Sequence, residues 1–265
     1  MATDLDFQDH LWRESARFRA VLADADPAAQ VPTCPDWNAA DLLWHLAEVQ
    51  LFWGAIVRDR LDDPDRAEAA KPERPGEYPE LLELFDRASA ALLDTLATTP
   101  DHIQLWTWFD ADQSAGFVRR RQAHEALIHR LDAELITGSV TGIDAALATD
   151  GVDEALSALY GGPPAWGSFT SSSIAGRVRT TDTGGEWLVE LGRFTGTSPN
   201  TGTSYDEPSL TVATTSGPEP TFTVSASARD LDAWVWNRPT PDGVRVEGSD
   251  ADFARFEAVI VAGVQ

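Results

Sequence analysis

Hydrophobic positions in the first half of the chain recur every three to four residues, the spacing of amphipathic helices. Leu5, Leu11, Phe18, Val21 and Leu22 mark a first helix, which Thr3 or Asp4 can cap and Asp26-Pro27 ends. Val31-Pro32-Thr33-Cys34-Pro35-Asp36-Trp37 then reads as an extended entry fixed by its two prolines. Asn38 suits the N-cap of a second helix from Ala39 to about Leu61, with Asp41 in its first turn. Leu42, Leu43, Leu46, Val49, Phe52, Trp53, Ile56 and Val57 give that helix a broad apolar face. Residues 62–76 are charged, hold three prolines and read as an exposed connection. A third helix is predicted from about Glu77 to Thr98, closed by Pro100, and a fourth from Phe117 to Thr137, stopped by Gly138. Four helices of this length predict a bundle.

After Gly138 the periodicity changes. A helix over about Asp150 to Leu159 leads into Gly161-Gly162-Pro163-Pro164 and a serine-rich run to Ser173, which read as a mobile connection. Alternating, β-branched stretches follow at 174–181, 186–191, 209–214 and 221–225, with Gly184-Gly185 as a hairpin turn between the first two. A helix beginning at Ser227 or Ala228 ends at Arg238-Pro239; a short strand at 244–247 and a last helix over 250–262 complete the pattern. The chain is therefore expected to be a two-domain α+β protein: a four-helix bundle over residues 1–140, then a smaller α+β domain with an antiparallel sheet over 141–265.

Composition narrows the function. The 265 residues are 43% hydrophobic and 24% charged, ordinary for a globular protein. The net charge of −23 repels phosphate backbones and argues against a nucleic-acid partner. The acidic start lacks a basic leader, and no apolar run is long enough to span a bilayer, so a soluble cytoplasmic protein without a membrane partner is expected. The single cysteine, Cys34, excludes an intrachain disulfide and a cysteine-rich metal cluster. It sits between two prolines with no histidine beside it in sequence, and reads as a packing residue.

The candidate chemistry lies on the fourth helix. Glu125 and His129 are four residues apart, hence about 40° apart around the axis, so both can grip one divalent ion from the same side. His124 lies about 140° round from His129 and cannot share that face. His45, inside the apolar second helix, is a candidate third donor, because bundles build metal sites from facing helices. Two imidazoles and a carboxylate would leave positions open, the pattern of catalytic zinc. Glu48, three residues after His45, is a possible co-ligand, although its charge also suits a solvated face. Asp132, three residues after His129, can accept a hydrogen bond from that imidazole. The aromatic run Leu105 to Phe109 reads as packing at the bundle end or as a pocket wall.

Three stretches carry a resemblance. They are Val31-Pro32-Thr33-Cys34-Pro35-Asp36-Trp37 with Asp41-Leu42-Leu43-Trp44-His45-Leu46; Arg120-Arg121-Gln122-Ala123-His124-Glu125 through His129-Arg130-Leu131-Asp132-Ala133-Glu134; and Ala228-Arg229-Asp230-Leu231 through Trp234-Val235-Trp236-Asn237-Arg238. The chain so resembles the mycothiol-dependent maleylpyruvate isomerase family, whose first domain is similar to the DinB bundle and whose second is similar to sterol-carrier-type modules. The resemblance implies His45, Glu125 and His129 as ligands of zinc or another divalent metal, and mycothiol as co-substrate. It implies a metal-bound thiolate attacking a small electrophile, and an arginine, here Arg238, that meets the substrate carboxylate. Asn237 stands where the family often has glycine. S-transfer is the expected reaction; cis–trans isomerisation of the maleylpyruvate type and non-enzymatic binding of a small molecule are the alternatives. The expected partners are a thiol and an electrophilic substrate, for a monomer or homodimer.

Overall fold

A computed structural model of the chain describes residues 5–213 and 217–263. Two compact units form: one runs to Trp108 and resumes over Asp112–Gly142, and the other takes Phe109–Ala111 and the described residues from Ile143 onward. No described helix is long and apolar enough to cross a membrane.

The first unit is built on four long helices: α1 (Phe7–Ala23), α2 (Ala39–Asp59), α4 (Tyr78–Thr98) and α5 (Ala115–Thr137), with a short α3 (Pro64–Ala69) between the middle pair. Helix α1 packs on α5 and α4, and α2 packs on α4 and α5. Asp6 caps α1 by accepting from the Asp9 N–H; the caps expected at Thr3 or Asp4 fall outside the described residues. At α2 the expected cap is a full capping box, Asn38 accepting from Asp41 N–H and Asp41 from Asn38 N–H. Arg60, left-handed at φ 49°, ends that helix two residues before the expected Leu61. The connection expected over 62–76 contains α3, because Asp63 caps it, Pro64 sits at the helix start and Ala67 is buried. Ser114 caps α5 and Gly138, at φ 70°, stops it. The proline-framed entry is a hairpin of β1 (Gln30–Val31) and β2 (Cys34–Asn38). Its Trp37 and Cys34 pack against a core of Phe18, Leu22, Leu42, Leu46 and Phe85.

The second unit opens with α6 (Ala145–Glu154), which Asp144 caps and which runs into a π-helical turn over Ala155–Tyr160. The helix expected from Asp150 thus starts a turn earlier. Strands β3 (Gly167–Thr180), β4 (Glu186–Thr197), β5 (Ser204–Val212), β6 (Pro220–Ala226) and β7 (Arg245–Gly248) form a sheet of order β5-β4-β3-β6-β7. Three neighbouring pairs are antiparallel and β3–β6 is parallel. The serine-rich run expected as a mobile connection is the first half of β3, paired along β4 from Gly167↔Gly196 and interrupted by an irregularity between Ser171 and Ile174. The strand expected over 209–214 is β5, five residues earlier, and Thr214 lies outside the described residues. Helices α7 (Ala228–Val235) and α8 (Asp250–Ala262) complete the unit. Val178, Val189, Leu191, Phe222 and Val224 of the sheet close a core with Leu156, Leu231, Phe256 and Ile260 of the helices.

Candidate metal centre

Helices α2 and α5 pack together in the first unit and bring His45 and the Glu125/His129 pair to one place. Each of the three residues offers one ligand atom, and those atoms all lie within 4.8 Å of one another. His45 Nε2 is 3.3 Å and His129 Nε2 3.1 Å from the same carboxylate oxygen, Glu125 Oε1. The imidazoles meet edge to face, centroids 4.7 Å apart. Trp37 of β2 lies against His45 with centroids 4.7 Å apart.

The surroundings fix these groups. Asp132, fully buried, sits with Oδ2 3.0 Å from His129 Nδ1, which turns Nε2 toward Glu125. Thr33 donates its hydroxyl to Asp132 Oδ1 at 2.6 Å, so the proline-framed hairpin holds the carboxylate from behind. Arg121 donates to Glu125 Oε2 at 3.1 Å, leaving Oε1 to the imidazoles. On the other side, His45 Nδ1 is 4.0 Å from Glu48, whose other oxygen accepts from Lys71 at 3.1 Å. Glu48 thus stands behind His45 rather than among the three converging atoms.

Burial alone would raise the Glu125 carboxyl. The hydrogen bonds from His129 and His45 and the charges of His129 and Arg121 outweigh it and hold Glu125 well below the usual carboxylate range. Burial disfavours the charged form of His129, but Asp132 and Glu125 outweigh it and lift His129 to about 9. Without a metal, the His129 proton supplies the positive charge that two flanking carboxylates demand. A divalent cation would meet the same demand from the Nε2 side. Two imidazole nitrogens and a carboxylate oxygen, one imidazole backed by a buried carboxylate, are a donor set that fits Zn²⁺ and related ions and leaves coordination positions open.

His124 is 1% exposed and its ring contacts Phe7. Trp106 of the aromatic run stacks on Trp53 and contacts Phe52, packing into the bundle. Arg238 belongs to the second unit, in the turn after α7, where it donates to the Trp236 carbonyl at 2.6 Å. Asn237 before it is left-handed at φ 57°, the conformation in which glycine and asparagine are the favoured residues. From the sequence alone Trp37 belongs to the extended entry to α2 and Arg121 carries no role of its own. The four-residue step from Arg121 to Glu125 was the available signal for the second; the position of Trp37 depends on the fold.

Residues 9–134 match the family described as mycothiol maleylpyruvate isomerase N-terminal domain, and residues 146–255 the MDMPI C-terminal domain. Two solved structures resemble the fold: the mycothiol-dependent maleylpyruvate isomerase, at a TM-score of 0.57, and a point mutant of it, at 0.59. Each is 14% identical, with 94% of this chain and 97% of the other covered. No curated protein sequence matches the chain.

Proposed function

We propose, for a chain that belongs to the mycothiol-dependent maleylpyruvate isomerase family, a metal- and thiol-dependent enzyme that acts on a small electrophile, with mycothiol as the thiol. One observation carries the reading: the convergence of one ligand atom each from His45, Glu125 and His129, all within 4.8 Å of one another. A divalent ion held there would supply the Lewis acidity that makes a thiol ionise at neutral pH. His45, Glu125 and His129 would hold the ion. Asp132 fixes the tautomer and direction of His129, with Thr33 behind it. Arg121 keeps one Glu125 oxygen occupied. Trp37 gives the site an apolar wall beside His45. Arg238 is assigned to a substrate carboxylate, whose planar fork suits guanidinium.

The activity in the family's name supports isomerisation over the S-transfer expected from sequence. In isomerisation the sulfur–carbon bond that forms to one alkene carbon is the bond that later breaks, so thiol is regenerated and nothing is oxidised. In transfer the bond persists and one thiol is consumed per turnover. The test is a time course with metal-loaded protein, mycothiol well below substrate, and maleylpyruvate followed by absorbance. Isomerisation predicts many turnovers per thiol. Conversion that needs neither metal nor thiol would overturn the reading, and conversion that halts after one equivalent of thiol would restore transfer.

A further inference from the structure

The second unit contains a cavity of about 370 Å³ at the start of β3, beside β5 and the end of α8. That size suits a small molecule. Trp166, Phe194 and Tyr205 form an aromatic wall: Trp166 meets Phe194 edge-on at 5.2 Å and leans on Tyr205 at 5.6 Å. The wall is built into the strands. Gly167 and Gly196 are cross-strand partners, and a Cβ on Gly167 would lie 2.1 Å from the Phe194 ring, one on Gly196 3.0 Å from the Trp166 ring. Any side chain at either position would displace the rings.

The rest of the lining selects charge. Glu207 presents a carboxylate, and the cavity reaches Ala262 and Gly263 at the negative end of α8. The donors the lining keeps are neutral, the Tyr205 and Ser209 hydroxyls and the Trp166 indole N–H, and no cationic side chain among the described residues lines it. Pro163, Pro164 and Pro208 have no N–H. The Tyr160 hydroxyl donates to the Val235 carbonyl at 2.6 Å. The N–H of Ala165 is taken by Asp110 at 3.1 Å and that of Gly167 by Pro164 at 3.0 Å. An adjoining smaller cavity includes Arg193 and Arg255, but Asp206 and Asp252 face them. Ring faces attract cations, and the chain's net charge of −23 deters anions.

We propose that this cavity binds a small organic cation, an ammonium group carrying an aromatic or apolar body, with the charge set between Glu207 and the ring faces. The site is made wholly of residues of the second unit and does not depend on the metal- and thiol-dependent chemistry above. The test uses the full chain and three probes of one shape: phenethylammonium, 2-phenylethanol and 3-phenylpropionate, titrated by saturation-transfer NMR with metal present and with metal stripped. Phenethylammonium is expected to bind about three- to tenfold more tightly than the alcohol, and the anion most weakly, with or without metal. Glu207→Gln, at an exposed position, should bring ammonium and alcohol to within about twofold of each other. Trp166→Ala should abolish both where that variant folds. Equal affinity for all three probes, tighter binding of the anion, or an unchanged preference in Glu207→Gln would overturn the proposal.

Discussion

Asp132→Asn separates the charge behind His129 from the shape of the site. Asp132 is fully buried, with one oxygen at His129 Nδ1 and the other on the Thr33 hydroxyl. Asparagine can keep its amide oxygen toward Nδ1–H while its NH₂ group meets Thr33, so the ring direction survives and the negative charge does not. Removing such a partner costs about 10- to 100-fold in metal affinity, or about 1.4–2.7 kcal/mol. A second effect opposes it. His129 is held at about 9 in the metal-free protein, so at pH 7 a metal must displace its proton. That competition weakens binding by about 100-fold, and losing Asp132 relieves part of it. The full loss should therefore appear near pH 9, and a smaller one at pH 7. Competition against a chromophoric chelator in a zinc-buffered solution, at both pH values, reads each constant. A folded Asp132→Asn protein with wild-type affinity at pH 9 would refute the assignment of Asp132 as the group that tunes His129.

Zn²⁺ binding at pH 7 should release about one proton, and the wild-type affinity should climb about tenfold per pH unit until it levels near 9; paired calorimetric titrations in buffers of different ionisation enthalpy measure the first. Glu134→Gln should cost about 3–5 kcal/mol near neutral pH, because it breaks a buried pair with Arg130 at 2.9 Å and an ion pair at 2.6 Å with Arg17, whose side chain is partly exposed. Burial would raise the Glu134 carboxyl, but the Thr141 N–H, Arg17 and Arg130 hold it below its ordinary value. A depressed carboxylate adds stability above its unfolded pKa of about 4.3 and loses it as pH falls through the folded value, so urea midpoints of wild type and Glu134→Gln should converge in acid. Arg238→Gln should raise KM for a carboxylate substrate while leaving zinc affinity within twofold of wild type, checked by steady-state kinetics and the chelator assay.

Local rules made the bundle legible. Asn38 with Asp41, and Gly138 after Thr137, mark helix ends by chemistry that acts within a few residues. The start of β3 was hidden because Gly167–Ser171 is held in the strand by cross-strand partners on β4, which composition does not reveal. Helix α3 was hidden for a different reason: prolines and charges dominate 62–76, and only the burial of Ala67 and the Asp63 cap make a helix of it. At the candidate site, spacing alone puts Glu125 and His129 on one side of α5 and His124 elsewhere. That His45 joins them depends on α2 packing against α5, a contact across 80 residues of chain that periodicity cannot specify. The family resemblance named His45 where the pattern of the helix left it a candidate.

The most direct measurement is a Co²⁺ titration of chelator-stripped protein, followed through its visible d–d absorption, on wild type, His45→Ala and His129→Ala. The account predicts one equivalent bound by the wild type, with an intensity characteristic of low coordination number, and a loss of that band in both variants while their circular dichroism stays native. A full, unaltered band in either folded variant would contradict it.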